Sequence, residues 1–198
     1  YVAASTGLFV LYQRRPRPIF GRVKPISRQV RGIVTTGDTL LIGADDGLYI
    51  LSDSNKPAEK VAGAEPVYVL YLSRWYPYVL FAGLQDGLAI FEHAANGWRL
   101  KRRGIGRLHK EVVQIIEDRY GTLWLSLRDG LVVRMQFLTG WMQEPEVTVY
   151  GKEDGLPGSF VQMAEKDSTV LFFSREGIYR FVPGARPAFQ RDTTLLAP

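Results

Sequence analysis

Short apolar runs separated by small polar turns recur along this chain. In five places an apolar run ends at a turn that closes in glycine, and a second apolar run follows immediately. The turn glycines lie at intervals of 40, 40, 43 and 47 residues and are Gly7, Gly47, Gly87, Gly130 and Gly177. In the last four turns an acidic residue precedes the glycine, which favours a tight hairpin because glycine adopts positive φ without a steric penalty. The pattern therefore predicts five β-hairpins at equivalent places in a repeated unit.

Further apolar runs extend each hairpin into an antiparallel meander. The fourth unit is the clearest, with predicted strands at 112–117, 123–126, 131–135 and 147–150. The same pattern predicts the strands of the other units at 30–34, 40–43, 48–51, 67–72, 79–82, 88–91, 98–101, 160–164, 169–173 and 178–182. The sequence opens directly on the first hairpin, followed by a Pro- and Arg-rich connection at 14–18, so we expect a truncated first unit.

A period of about forty residues that contains several strands is typical of a β-propeller. A meander of about four strands has two apolar faces, and stacking such units around an axis buries both of them. We therefore predict an all-β propeller of about five four-stranded antiparallel units over residues 1–183. Residues 184–198, which include Pro187 and Pro198, are predicted to be an exit segment or a linker to a downstream domain.

The composition is that of an ordinary globular protein, with 46% hydrophobic and 23% charged residues among 198. No apolar run approaches the ~20 residues that a membrane-spanning helix needs. The absence of cysteine excludes disulfides and thiolate metal sites. The formal net charge is +5, but the basic residues are spread through the chain and form local clusters only at 14–17 and 101–103. This distribution argues against a nucleic-acid partner.

One stretch resembles a known repeat. Residues 116–131 combine an acidic turn, Gly121, a small polar residue, the pair Leu123-Trp124, and a Gly-Leu pair after the next turn. This order is similar to the two-component regulator propeller repeat, and Asp154-Gly-Leu-Pro157 resembles the element that joins blades in the same family. The resemblance is strongest in the fourth unit and extends over nearly the whole chain.

The resemblance implies a function as well as a fold. Propellers of this family are the non-catalytic, extracytoplasmic ligand-binding domains of bacterial hybrid histidine kinases, diguanylate cyclases and related receptors. They usually have seven blades and an immunoglobulin-like domain after the last one, so five units fit either the C-terminal part of a seven-bladed ring or a smaller closed ring. The family also implies a periplasmic or extracytoplasmic location, attachment to a membrane-spanning receptor, and possible homodimerisation.

The repeated turns supply the candidate binding residues. Connections between units lie on the same rim as the hairpins, so seven residues are predicted to share one rim and bind a small molecule or an oligosaccharide; they are Asp46, Asp86, His109, Arg128, Asp129, Arg175 and Glu176. The two arginines could clamp a carboxylate or sulfate of a polyanionic ligand, or they could be solvated hairpin residues. The carboxylates could form a cation-binding ring, although stabilisation of tight turns accounts for all four of them, and we predict no metal site.

No catalytic constellation is recognisable. His93 and His109 are the only histidines and fall in different units, and neither Ser159 nor Ser174 belongs to a nucleophile motif. We predict no catalytic residue and no cofactor. Two alternatives stay open, a propeller enzyme acting on polysaccharide and a protein-interaction scaffold. The aromatic stretch 75–78, expected on the opposite rim, could stack on a sugar, contact a protein, or pack between units.

Overall fold

The computed structural model describes residues 1–12, 17, 19–63, 65–158 and 161–193. Its first sheet has three strands, β1 (Val2–Ala4), β2 (Gly7–Tyr12) and β3 (Ile19–Arg22). The second sheet has four, β4 (Val30–Thr36), β5 (Thr39–Ala44), β6 (Gly47–Leu51) and β7 (Glu59–Lys60). The third sheet comprises β8 (Val67–Leu72), β9 (Val79–Leu84), β10 (Gly87–Ala94) and β11 (Gly97–Arg103). The fourth comprises β12 (Val112–Glu117), β13 (Leu123–Leu127), β14 (Val132–Gln136) and β15 (Glu146–Tyr150). The fifth comprises β16 (Gln162–Lys166), β17 (Thr169–Ser174), β18 (Gly177–Phe181) and β19 (Phe189–Arg191).

Every sheet is an antiparallel meander whose strands pair in chain order. Helical structure in the described part of the chain is limited to two single 3₁₀ turns, at Ile105–Arg107 and Lys152–Asp154. No helix formed by the described residues is long and apolar enough to cross a membrane. The first sheet is a truncated unit, because its hairpin at Gly7 corresponds to the turn between the second and third strands of the other sheets. The all-β, propeller-like architecture predicted from the repeat is therefore confirmed.

The hairpin glycines are required by close packing as well as by backbone conformation. Gly87 has φ +88°, and a Cβ atom built there would lie 2.1 Å from the carbonyl oxygen of Leu108, in the connection leading to the fourth sheet. The Gly87 amide also donates to the carbonyl of Lys110 at 3.0 Å. The tight turn thus brings this hairpin directly against the connection that follows it.

Apolar layers fill the spaces between neighbouring sheets. The six residues of β9 are buried throughout, as expected for a strand covered on both faces. Between the third and fourth sheets Phe81 and Ile90 pack against Leu125 and other fourth-sheet residues. Between the fourth and fifth sheets Trp124 and its neighbours form an aromatic cluster.

The outer strands of three sheets were missing from the sequence prediction. Strands β3, β7 and β19 were not predicted, and β19 falls inside the segment 184–198 that we expected to be an exit segment. It pairs with β18 and buries Phe189 to 1% exposure, so the boundary drawn at residue 183 cuts through the fifth sheet. A linker beyond residue 193 stays a prediction, and residues 194–198 lie outside the described part. So do the connection residues 14–16 and 18, and Ser159 and Phe160; β16 begins at Gln162, two residues after its predicted start.

Candidate functional site

The seven residues predicted to bind a ligand lie on one edge of the stacked sheets. We call this edge the hairpin rim; it comprises the turns between second and third strands, at 44–47, 84–87, 126–132 and 174–177, and the connections that contact them. Backbone hydrogen bonds hold these turns against the chain that precedes each first strand, as in Asp45 to Gln29 and Arg128 to Glu111, both at 3.0 Å. The order of strands predicted this placement.

Asp86 and Asp129 on the hairpin rim each interact with a local partner. Asp86 Oδ1 lies 3.1 Å from His109 Nδ1, and Asp129 accepts from the ammonium group of Lys110. Burial opposes ionisation of Asp129, but the hydrogen bond from Lys110, the hydrogen bonds from backbone amides and the charge of Lys110 together outweigh burial and lower the pKa of this carboxyl. Asp86 and Asp129 are therefore members of separate pairs.

Asp46 follows the same rule with a different partner. Its Oδ2 accepts a 2.7 Å hydrogen bond from the Tyr49 hydroxyl and lies 3.8 Å from Lys60 Nζ. Burial, reinforced by Asp46, raises the pKa of Tyr49 to about 12. No group of three or more His, Cys, Asp or Glu side chains that could hold a metal ion occurs among the described residues. Asp46, Asp86 and Asp129 thus each have a separate local partner.

The two predicted clamp arginines differ in their surroundings. Arg128 donates from Nε and Nη2 to Glu111 Oε1, at 3.1 and 2.6 Å, and this interaction raises the pKa of the arginine. Arg175 is exposed beside Glu176 and makes no ion pair with any residue in the described ranges. Nothing in the contacts brings the two guanidinium groups together, so their joint action on a ligand stays a prediction.

The opposite edge holds a cavity that was not predicted. We call this edge the aromatic rim; it comprises the turns between first and second strands, at 36–39, 72–79, 117–123 and 166–169, and the adjoining strand ends. A cavity of ≈ 310 Å³ opens there between the fourth and fifth sheets. Its lining combines aromatic, cationic and hydroxyl groups, from Asp118, Arg119, Tyr120, Thr122, Trp124, Arg134, Gln136, Ser168, Thr169, Val170, Phe172, Phe181 and Pro183.

Trp124 forms the inner wall of this cavity, and the turn before it fixes its orientation. The indole Nε1 donates to Asp118 Oδ2 at 3.0 Å, while Asp118 Oδ1 accepts from the backbone amides of Tyr120 and Thr122 at 2.9 and 3.0 Å. The indole is only 3% exposed and meets the ring of Phe172 edge-on, with centroids 5.2 Å apart. The acidic turn and the Leu-Trp pair that carry the family resemblance therefore act together as one structural unit.

Arg134 is the cation nearest to this wall. It lies opposite Trp124 in the pairing of β13 with β14 and is half-buried. Its guanidinium carbon lies 5.9 Å from the centroid of a Trp124 ring and 5.6 Å from that of Phe181, within the range of cation–π contact. Within the described part of the chain it makes no ion pair. The cavity thus contains a positive charge that is stacked on aromatic rings but not neutralised by a carboxylate.

Aromatic side chains continue from the cavity onto the outer surface of the rim. Tyr120 is 71% exposed, with the guanidinium of Arg119 4.7 Å from its ring centroid. Trp75 is 54% exposed, donates from Nε1 to the Asp118 carbonyl at 3.4 Å, and lies against Gly121. The predicted aromatic stretch divides, since Tyr76 packs on the core whereas Trp75 and Tyr78 face outward.

A buried carboxyl group anchors the rim. Glu117, at the end of β12, is 1% exposed and accepts from Ser73 Oγ at 2.9 and 3.0 Å and from the Arg74 amide at 2.6 Å. Burial, only partly offset by these hydrogen bonds, raises the pKa of Glu117. The Arg74 side chain is in turn paired with Glu165 of the fifth sheet. This chain of contacts ties three successive sheets together at the aromatic rim.

The comparisons with known proteins extend over nearly the whole chain at the level of fold. The chain matches no protein-family model and no curated protein sequence. It is similar to the extracellular domain described as that of a one-component system of B. thetaiotaomicron, with a TM-score of 0.66 and 17% identity over 96% of this chain and 25% of that one. It is also similar to the extracellular domain described as that of a hybrid two-component system of the same organism, with a TM-score of 0.63 and 16% identity over 90% and 25%.

A third similar structure is the computationally designed protein Ika8, with a TM-score of 0.62 and 13% identity over 93% of this chain and 56% of that one. The chain therefore spans about a quarter of the length of the two extracellular domains. At these identities the similarity shows a shared propeller-like fold.

Proposed function

We propose that this chain is a non-catalytic, ligand-binding module of an extracytoplasmic bacterial sensor, and that it binds its ligand at the aromatic rim. The observation that carries the proposal is the similarity of fold to extracellular domains described as parts of one-component and hybrid two-component systems. Periplasmic or extracytoplasmic placement, attachment to a membrane-spanning receptor and homodimerisation belong to the same proposal.

The chemistry of the cavity favours binding over turnover. Its one lining carboxylate, Asp118, already accepts three hydrogen bonds, which leaves it poorly suited to proton transfer. The other polar lining groups are hydroxyls, an amide and two arginines, all of which can hold a ligand without activating a nucleophile. This composition supports a sensor more than a polysaccharide-cleaving propeller.

The position of the cavity supports a simple route for signal transmission. A ligand between the fourth and fifth sheets would contact both and would favour one relative arrangement of the two. Any such shift is limited by the difference in ligand affinity between the two arrangements. The seven residues of the hairpin rim remain a second proposed binding face, for which the exposed Arg175 is the best-placed anion ligand.

A protein-interaction scaffold is the second candidate function. The observation in its favour is the exposed aromatic surface formed by Trp75 and Tyr120. Aromatic side chains are enriched at protein interfaces, and this surface lies beside the cavity. A scaffold would use that surface without filling the cavity.

A thermal-shift screen of the purified chain tests the proposal. The library contains neutral sugars, oligosaccharides, sugar acids and aromatic acids, and each compound that stabilises the chain is then incubated with it and followed by NMR for product formation. A ligand at a hundred times its Kd stabilises by about 2.7 kcal/mol, which for a chain of this size raises Tm by about 5–10 °C. We expect stabilisation without turnover. Turnover of a bound compound would establish an enzyme instead, and a cooperative transition unmoved by every compound would favour the scaffold.

A further inference from the structure

Arg134 occupies a position that the preceding sheets fill with an apolar side chain. The residue paired across from it is Trp124, and the corresponding pairs are Leu41 with Ile50 in the second sheet and Phe81 with Ile90 in the third. Ile90 is fully buried between sheets, and Ile50 packs against the core there. A cation at this position of the fourth sheet is thus a departure from the repeat.

The fifth sheet provides a direct contrast. Its corresponding pair is Leu171 with Arg180, but Arg180 Nε donates to the buried carboxylate of Asp192 at 2.5 Å. Arg134 has no such carboxylate among the described residues, although it is half-buried. Placing a charge in a partly desolvated site is costly unless a partner neutralises it. A bound anion would supply that partner.

The alternation along β14 shows where the anion would lie. Val132 faces the fifth sheet and is fully buried, and Arg134 and Gln136 follow it on the same face toward the aromatic rim. The interface therefore changes from apolar to polar where the cavity opens. Asp118 also lines the cavity, but its oxygens accept from Trp124 and two backbone amides. With Arg119 at the mouth, two cations and one carboxylate leave a net positive charge.

We propose that this cavity binds a small organic carboxylate with a flat, apolar body, and the inference rests on the proposed function. The Arg134 guanidinium contacts the carboxylate, for which its planar donor geometry is suited. The flat body lies among the aromatic side chains of the cavity, Tyr120 and Phe181 among them. A volume of ≈ 310 Å³ is at the lower end of the range of small-molecule pockets, about 300–1,000 Å³, which restricts the ligand to about one or two rings.

Two matched pairs of probes test the charge and separate two sources of the same chemistry. 4-Hydroxybenzoate is compared with 4-hydroxybenzyl alcohol, and galacturonate with galactose, by calorimetric titration. We expect 4-hydroxybenzoate to bind at least ten times more tightly than 4-hydroxybenzyl alcohol. Discrimination by the sugar pair alone would keep the contact with a carboxylate but would overturn the flat, apolar body.

Four variants locate the effect. Arg134→Gln should weaken binding of the preferred acid about tenfold or more, and Arg134→Lys should restore only part of the affinity, because an ammonium group lacks the planar pair of donors. Arg119→Gln changes an exposed residue at the mouth and should weaken binding about two- to fivefold, which keeps the test valid if Arg134 variants fold poorly. Arg99→Gln, on the outer strand β11 of the third sheet, where the side chain pairs with Glu92, is the matched control and should leave the affinity unchanged.

The possible failures are distinguishable. Equal affinity for acid and neutral probes, loss of binding in Arg99→Gln but not in Arg134→Gln, or no binding of either acid at 10 mM, roughly a hundred times a Kd of 0.1 mM, would each overturn the inference. If a neutral compound from the thermal-shift screen binds in any of these cases, the proposed sensor function stands while the carboxylate specificity falls. If nothing in that screen binds, both fall.

Discussion

The charged groups of the two rims are organised differently. On the hairpin rim Asp86 pairs with His109 and Arg128 pairs with Glu111. On the aromatic rim one carboxylate, Glu117, is buried among hydrogen-bond donors, and one guanidinium, that of Arg134, is stacked without an ionic partner. A repeated pattern of charges therefore identifies turns, whereas a departure from the repeat identifies the candidate site.

The largest expected loss of stability follows removal of the Trp124 side chain. Trp124→Ala removes an indole that is 3% exposed and packs on four aromatic rings, so we expect a loss of about 3–5 kcal/mol in the free energy of unfolding. Trp75→Ala, at 54% exposure on the same rim, is the control and should cost less than about 1 kcal/mol. Urea unfolding of both variants measures the values, and equal losses would contradict the assignment of Trp124 as the inner wall.

The second prediction compares a buried glutamate with a partly exposed one. Glu117→Ala leaves the Ser73 hydroxyl and the Arg74 amide without their acceptor, so we expect a loss of about 2–3 kcal/mol. Glu111→Ala removes only the surface partner of Arg128 and should cost less than about 1 kcal/mol. The measurement is again urea unfolding at pH 7. A larger loss for Glu111 would mean that the hairpin rim, and not the aromatic rim, ties the sheets together.

The pH dependence of the Glu117 contribution should run opposite to that of most carboxyl groups. Because burial raises the pKa of Glu117, the folded chain holds its proton more tightly than the unfolded chain, whose glutamates titrate near about 4.3. The stabilisation of the fold by the protonated Glu117 carboxyl is complete below the pKa of the unfolded chain and is lost as pH rises through the pKa of the folded chain. The stability advantage of the wild type over Glu117→Gln should therefore widen by up to about 1 kcal/mol as pH falls from 7 to 4. A stability difference that narrows as pH falls would contradict the burial of the Glu117 carboxyl.

The smallest expected effect on stability is that of Asp129, and its pH dependence runs opposite to that of Glu117. The lowered pKa of Asp129 means that its pairing with Lys110 stabilises the fold above about pH 3.9 and is lost as pH falls through the folded pKa. Both side chains are close to half exposed, so Asp129→Asn should cost no more than about 0.5 kcal/mol at pH 7. This difference should shrink at pH 3 and in 0.5 M NaCl. A loss unaffected by salt would show that Asp129 does more than pair on the surface.

The fold was largely predictable because the repeated positions require particular residue types that few others can replace. Glycine is needed where the hairpin has positive φ and its neighbour approaches closely, as at Gly87, so the spacing of such residues revealed the units. The outer strands β7 and β19 lack this signal. The two residues of β7 are Glu and Lys, both exposed, and β19 has three residues after Pro187, so neither shows an apolar alternation.

The candidate site was less predictable because it depends on how the sheets stack. The alternation Val132-Val133-Arg134-Met135 identifies a strand, but not which of its faces meets the fifth sheet. That face is fixed by the longer turn between Leu127 and Leu131, which differs from the two-residue hairpins of the other sheets. The Leu-Trp pair and the acidic turn were the available signals, and they were recognised as marks of the repeat and not as walls of a cavity.

Amide hydrogen exchange with and without a saturating carboxylate probe is the most direct test of whether a ligand binds at the aromatic rim. The probe is whichever of 4-hydroxybenzoate and galacturonate binds more tightly. Binding at the aromatic rim should add protection in peptides covering 118–124 and 166–172 and leave exchange unchanged in the hairpin turns at 84–87 and 174–177. Protection confined to those hairpin turns, or no change anywhere at saturating probe, would contradict it.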